Sequence, residues 1–344
     1  MRQKIIEINS PTKRILLIKP SSLGDIIHGL PVLKAIRDKW PDAKISWVIK
    51  DIYADIINEN PLIDDLILLK KNSLTTSILS FRKKLRHGRF DLAVDMQGLF
   101  RSGLIAFLSG APVRVGFSNA RELAPLFYTH KVDAPLHLHA VDRNLKLADS
   151  LDCKNQEINF PLNISQEAQQ EVSEFLQKNQ LDNRQPVITF VPGARWEKKR
   201  WPSKSFSRLG DFLNKELRAG IIVTGSRQEE GLIHKIRGDI KNSSSEAAGF
   251  TLSKLTELLK RSDVVVTNDS GPMHIAAAVG TPVVALFGPT CPARTGPYTK
   301  KRIIIHKNME CIPCFRKPCS QNSFECMESI TVEEVFEGVK QMLR

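Results

Sequence analysis

Long apolar runs are absent from this chain of 344 residues. No stretch approaches the ~18 consecutive apolar residues of a membrane-spanning helix. The first twelve residues mix Arg2, Lys4 and Glu7 among apolar ones and lack a signal-peptide core, so a cytoplasmic protein is expected. Cysteine is also sparse. Six thiols in a chain this long exclude a disulfide framework. There is no G-x-G-x-x-G fingerprint and no phosphate-binding GK[ST] loop, which removes support for dinucleotide and NTPase chemistry. No D-x-D occurs either, so no required Mg²⁺ and no other cofactor is expected.

Acidic residues are short relative to bases, 37 against 50, for a formal charge of +13. The excess divides as +7 over residues 1–160 and +6 over the remainder, so no basic tail explains it. Such a surface favours anionic partners. Aromatic residues, only 7%, are not interleaved with the basic stretches, so nucleic acid is not an expected partner. With 42% hydrophobic and 25% charged residues the chain reads as globular, and its length suggests two domains.

Short apolar runs alternate with amphipathic ones. Arg14–Lys19, Lys44–Ile49, Leu66–Leu69 and Phe90–Asp95 read as buried strands, and Ile26–Trp40 as one helix. A polar stretch, Asp152–Asn159, leads to a linker at Pro161–Ser165. A second series follows, with strands at Val187–Val191, Ile221–Thr224, Asp263–Thr267 and Pro282–Phe287. Helices are expected near Ser205–Leu217, Glu229–Ile240 and Thr251–Ser262. The pattern predicts an α/β fold of two doubly wound, Rossmann-like domains, with the active site in the cleft between them.

Four loops carry the chemistry. Lys19-Pro-Ser-Ser-Leu-Gly-Asp-Ile-Ile-His28 turns a strand into a helix, and Asp25 is either its cap or a general base. His28, a turn later, reads as a packed or positioning residue rather than the base. Val191–Pro202 concentrates Arg195, Lys198, Lys199 and Arg200 with two tryptophans, a set suited to a diphosphate or to a solvated loop stapled by its aromatics. Glu229 after Gly225-Ser-Arg-Gln either holds ribose hydroxyls or is a first-turn acid. Thr267-Asn-Asp-Ser-Gly-Pro-Met-His274 builds a helix N-terminus from Asp269, Ser270 and Gly271, a phosphate site within reach of His274.

Taken in order, Ser21–His28, Asp95-Met-Gln-Gly-Leu99, Ala120-Arg-Glu122 through Leu126-Phe-Tyr128, His139-Ala-Val-Asp-Arg143, Lys199-Arg-Trp-Pro202 and Asp269–His274 resemble the glycosyltransferase family 9 heptosyltransferases of lipopolysaccharide core assembly. The resemblance runs from about Arg14 to the C-terminus. It implies a GT-B fold: an acceptor-binding domain over 1–160, a nucleotide-sugar domain over 161–330, and a final helix, 331–344, returning to the first. The donor implied is ADP-L-glycero-β-D-manno-heptose and the chemistry inverting. Asp25 matches the family's base. Lys199, Arg195, Glu229, Asp269, Ser270, Gly271 and His274 fall on the donor side, and Ser22, Gly24, Gln97, Arg121 and Arg143 on the acceptor side. The acceptor implied is Kdo-lipid A or heptosyl-Kdo-lipid A. The segments around Asp95, Arg121 and Arg143 look more like the enzyme that adds heptose to Kdo. Rival readings are a heptosyltransferase of the second type, a GT-B nucleotide-sugar epimerase and a non-catalytic polyanion-binding protein.

Two features stand apart. Cys311-x2-Cys314-x4-Cys319-x6-Cys326 either presents four thiolates to a structural zinc or forms a reduced, redox-labile loop. Arg82-Lys-Lys-Leu-Arg-His-Gly-Arg89 holds five cations and no acid, either as a solvated helix end or as a contact for lipid phosphates on the inner face of the inner membrane, where the protein would sit peripherally.

Overall fold

The run Ile15-Leu-Leu-Ile18 is fully buried, each side chain contributing roughly 1.5–3 kcal/mol, which only a central strand covered on both faces can achieve. In the computed structural model, which describes residues 5–8, 12–70, 78–153, 157–181, 186–314, 319 and 324–344, this run is strand β1, Arg14–Ile18. The strands β2 (Lys44–Lys50), β3 (Asp65–Leu69), β4 (Leu92–Asp95), β5 (Val113–Phe117) and β6 (His130–Val132) join it in the order β3-β2-β1-β4-β5-β6. Every pairing is parallel, with Ile15 opposite Ile45 on one side and Leu92 on the other.

The second sheet repeats that order. Strands β7 (Val187–Val191), β8 (Gly220–Gly225), β9 (Ser244–Ala248), β10 (Val264–Asn268), β11 (Val283–Phe287) and β12 (Arg302–His306) run β12-β11-β10-β7-β8-β9, again all parallel. The chain divides into two compact units, Met1–Asn163 and Ile164–Arg344. In each, the strand order reverses beside the first strand, the topological position where doubly wound sheets bind ligands at their carboxyl ends. Residues 154–156 of the expected linker stretch, and most of the segment before Thr12, lie outside the described residues. No helix of the described residues is long and apolar enough to cross a membrane.

One expectation is corrected. Ile26–Trp40 is not one helix. A five-residue helix, Leu23–Ile27, ends at His28, and a second runs over Leu30–Lys39 with Gly29 as its cap and Pro31 in its first turn. Pro31 has no N–H to continue the earlier ladder. Gly29 sits where an added Cβ would press on Trp47 and Met96, so the chain bends against the sheet. The final helix, Val332–Met342, packs on the sheet of the second unit. Its buried residues Val332, Val335, Phe336 and Val339 join a core with Phe206, Leu209, Val284 and Leu286, and Phe336 stacks on Phe212 at 4.2 Å.

Candidate functional site

The loop after β1 shows why an acid is held where it is. The N–H and hydroxyl of Ser22 both donate to Asp25 Oδ2, at 3.0 and 2.6 Å, closing the short helix start upon itself. The carboxylate nevertheless keeps 44% of its side-chain surface open, so it is fixed and reachable together. Lys19 Nζ lies 4.0 Å from Oδ1 and donates to the carbonyl of Met96 at 2.8 Å. Lys19 is buried, and burial holds its pKa below the ordinary lysine value, against the pull of Asp25 and Asp95 and with the push of Arg143 and Arg121.

Beneath this loop, at the end of β4, Asp95 is completely buried. Burial pushes its carboxyl up, opposed by hydrogen bonds from Tyr128, Ser102 and the amides of Gln97 and Gly98. The Tyr128 hydroxyl donates to Oδ2 at 2.6 Å, and Gln97 N–H to Oδ1 at 2.8 Å. The Tyr128 hydroxyl is itself pushed far above the usual phenol range by burial and the adjacent charge. Asp95 therefore ties the Gln97 loop to the Arg121–Tyr128 loop. Arg143 lies 4.1 Å over the Phe117 ring, with its guanidinium donating to Asn119 Oδ1 at 2.7 Å. Arg121 is exposed. His28 is buried, its ring edge-on to His139 at 5.4 Å, and its carbonyl accepts from Asn144, as a packing residue requires.

Four carboxyl-edge loops of the second sheet converge on one another. Lys199 Nζ lies 2.5 Å from Asp269 Oδ2, and the Thr290 hydroxyl donates to the same oxygen at 2.6 Å. Lys199 and Lys198 both lie over the Trp196 ring, at 5.1 and 5.4 Å. Trp201 and Asn268 lock the backbone beneath: Trp201 N–H donates to Asn268 Oδ1 at 3.1 Å and Asn268 Nδ2 to the Pro192 carbonyl at 2.7 Å. Ser226 donates from its N–H and hydroxyl to Glu229 Oε2, at 2.9 and 2.8 Å. Glu229 Oε1 is packed directly on Gly193, where a Cβ would overlap it. Beside this group, Ser270 stands at the N-cap position of the helix Gly271–Ala278 without a side-chain capping bond, and Pro272 sits in the first turn, which leaves first-turn amides aimed outward. His274 is buried one turn in, and Arg195 is exposed on the neighbouring loop.

The structure thus gathers the sequence-predicted residues into two groups. Ser22, Gln97 and Arg121 are on loops, and Gly24, Asp25 and Arg143 are in the first turns of helices, at the carboxyl edge of the first sheet. Lys199, Glu229, Asp269, Ser270, Gly271, His274 and Arg195 share the corresponding edge of the second. Lys19, Asp95, Tyr128 and Gly193 are absent from the sequence-predicted site residues, because the bonds of Lys19 to Met96 and of Tyr128 to Asp95, and the contact of Gly193 with Glu229, join residues tens of positions apart. The first group offers an open, fixed carboxylate among cations; the second offers an ammonium, a helix N-terminus and a second carboxylate. A hydroxyl can be deprotonated at one, and an anion neutralised at the other.

The four late cysteines are all free thiols, as are Cys153 and Cys291. Burial, with Cys311, Cys319 and Cys314 adding their charges, raises the Cys326 thiol. Among the described residues no three His, Cys, Asp or Glu side chains are arranged to hold a metal, so the zinc reading of this cluster gains no support.

The chain matches the family described as glycosyltransferase family 9 (heptosyltransferase) over residues 78–325. It is 29% identical over 329 residues to lipopolysaccharide heptosyltransferase 1 of Pseudomonas aeruginosa, covering 91% of this chain and 89% of that protein. It is 27% identical over 344 residues to lipopolysaccharide heptosyltransferase 2 of Escherichia coli, covering 96% and 98%. The solved structure of a family 9 glycosyltransferase from Veillonella parvula superposes with a TM-score of 0.85 at 25% identity, covering 98% of this chain and 99% of that one. The two parallel six-stranded sheets are those of the GT-B fold.

Proposed function

The chain belongs to glycosyltransferase family 9, the heptosyltransferase family, and on that premise we propose that it moves heptose from ADP-heptose to the Kdo region of a lipopolysaccharide inner core. The observation that carries this reading is Asp25, a carboxylate clamped by Ser22 yet open to an incoming hydroxyl. Asp25 takes the proton of the acceptor hydroxyl as its oxygen attacks the anomeric carbon from the face opposite the nucleotide. The bond from that carbon to the diphosphate oxygen breaks, and ADP leaves with the electron pair. Inversion follows from this single displacement, and the transition state has oxocarbenium character.

Charge grows on the departing diphosphate. Lys199, Arg195 and the amides at Ser270 and Gly271 neutralise it, the role a metal ion plays elsewhere. Asp269 holds Lys199, His274 borders the same turn, and Glu229 takes the ribose hydroxyls. On the acceptor side Arg121 and Arg143 face the Kdo carboxylate, with Ser22, Gly24 and Gln97 lining the approach. The donor and acceptor classes rest on the family resemblance together with this placement of cations. Because such an acceptor is lipid-borne, the enzyme works peripherally at the cytoplasmic face of the inner membrane.

A second reading, transfer to heptosyl-Kdo-lipid A, draws on the relative of the second type, which spans the chain as fully as the first. Incubation of the protein with ADP-heptose and either Kdo2-lipid A or its heptosylated form, read by mass, tests both. A heptose-sized gain on the first acceptor alone supports the leading reading, a gain only on the second supports the other, and none on either overturns both.

A further inference from the structure

A helix lying on a sheet normally turns polar residues outward. The helix Phe100–Ser109 does not. Its inner side, Ser102, Gly103, Ile105 and Ala106, is buried and Leu108 packs on the same core, while Phe100 and Phe107 stand 41% and 49% exposed with Leu104 beside them. Arg101 is its one charged residue. The following loop adds Leu123 and Leu126, 67% and 74% exposed, and packs its Phe127 ring against Phe100 at 5.3 Å and Phe107 at 6.0 Å. A Cβ on Gly103 would meet Phe127 at 2.8 Å and the Ala124 carbonyl at 3.1 Å, so loop and helix form one close-fitted apolar surface.

Cations surround it. Residues 78–128 carry eight Lys or Arg against three acids. Asp91 is occupied by the amides of Lys13 and Arg14, Asp95 is buried, and Glu122 accepts from the Phe100 amide. Arg114 lies 5.8 Å over Phe107, Arg86 sits against Gly110, and Arg82, Lys83, Lys84 and Arg89 are exposed on or just beyond the adjoining helix Ile78–His87.

We propose that this face is where the chain docks on an anionic lipid bilayer. Aromatic and leucine side chains suit the boundary between headgroups and acyl chains, and arginines around them suit lipid phosphates. A second copy of the chain is a poor occupant, because it would bring the same cations against themselves. The loop that supplies Leu123 and Leu126 begins at Arg121, whose amide donates to the Gly98 carbonyl, and ends at Tyr128, bonded to Asp95. Docking thus sets the acceptor-side loops beside the membrane. The inference rests on the proposed function only in taking the acceptor to be lipid-borne.

The test uses the full chain with vesicles of equal parts phosphatidylglycerol and phosphatidylethanolamine, and with phosphatidylcholine vesicles as control. The unaltered protein is expected to sediment with the first and not the second. Phe107→Ser with Leu126→Ser should cost about tenfold in vesicle affinity. Arg82→Gln with Lys83→Gln and Arg101→Gln should cost roughly a hundredfold. The charge set should keep the melting temperature, the apolar set should lower it only by the lost Phe107–Phe127 contact, and both should keep the rate on a soluble, lipid-free Kdo acceptor at a temperature where they are folded. Vesicle binding unchanged in either set overturns the proposal. So does an unaltered protein that is a dimer split by the Phe107 and Leu126 changes, which would make the face an interface between copies. Anionic vesicle binding with the expected dependence but no turnover on any acceptor supports docking while overturning heptosyl transfer.

Discussion

Lys199 Nζ and Asp269 Oδ2 are 2.5 Å apart, although 70 residues separate them in the chain. Both side chains are mostly buried, and the Thr290 hydroxyl completes the carboxylate's shell. Two residues that the sequence places separately on the donor side are therefore partners. Asp269 positions the ammonium, and an arriving diphosphate meets a cation whose direction is already set, with little side-chain entropy left to lose.

That arrangement predicts non-additive binding. Lys199→Ala should weaken ADP binding by about 2 kcal/mol, roughly thirtyfold, the worth of a charge-assisted hydrogen bond. Asp269→Asn should weaken it less, and the double variant should bind no worse than Lys199→Ala alone. Calorimetry with ADP reads all three. Additive losses would mean that Asp269 touches the nucleotide itself.

Asp25→Ala should lower kcat about a thousandfold, within the range for removal of a general base, while ADP affinity stays unchanged. Ser22→Ala leaves the carboxylate but releases its clamp, and should lose a smaller factor in kcat. Retained turnover in Asp25→Ala would reduce this residue to a helix cap, and a steady-state rate assay is enough to decide.

Lys19 gives the pH dependence its sign. Burial lowers its pKa from 10.5, while Asp25 and Asp95 face it as acids and Arg143 and Arg121 as cations. The ammonium beside Asp25 is present below that lowered pKa and lost as pH rises through it, so activity should fall on the alkaline side earlier than an ordinary lysine would dictate. Between the lowered pKa and 10.5 the unfolded chain binds more protons, so folding stability should rise with pH across the same window. Lys19→Met should remove both the alkaline limb of kcat/KM and that stability slope. Urea unfolding across an alkaline pH series reads the second.

Strands β1, β7, β10 and β11 were legible because central parallel strands are covered on both faces, so Arg14–Ile18 or Val187–Val191 reads as a nearly unbroken apolar run. Strand β9, Ser244–Ala248, is an edge strand without that burial, and its Ser-Ser-Glu sequence carries no such run. Strand β5 hides for another reason. Gly116 is there because the Tyr128 ring occupies the space a Cβ would need, and that ring comes from a loop twelve residues later. The same limit applies to the site. Asp25 and Ser22 are three residues apart and could be read as a local pair, whereas Asp95 with Tyr128 and Lys199 with Asp269 exist only once the sheets bring different loops to one edge. The single helix expected over Ile26–Trp40 failed where local periodicity yielded to the bend at Gly29.

Gly193 and Glu229 offer the sharpest separation of fold from function. A methyl at Gly193 would overlap Glu229 Oε1, so Gly193→Ala must displace the carboxylate or shift the loop, at a cost of about 1–3 kcal/mol for overpacking. If Glu229 holds ribose hydroxyls, Gly193→Ala should weaken ADP more than it weakens pyrophosphate, which has no ribose. Glu229→Ala should show the same preference and, by removing the clashing oxygen, should make the second change harmless. The pair Gly193→Ala with Glu229→Ala is then expected to melt and bind like Glu229→Ala alone. Equal losses for ADP and pyrophosphate in both single variants would instead make Glu229 a scaffold for the Ser226 turn, whose amide and hydroxyl it already accepts. Calorimetric titration of the two ligands, with thermal unfolding of each variant, distinguishes the cases.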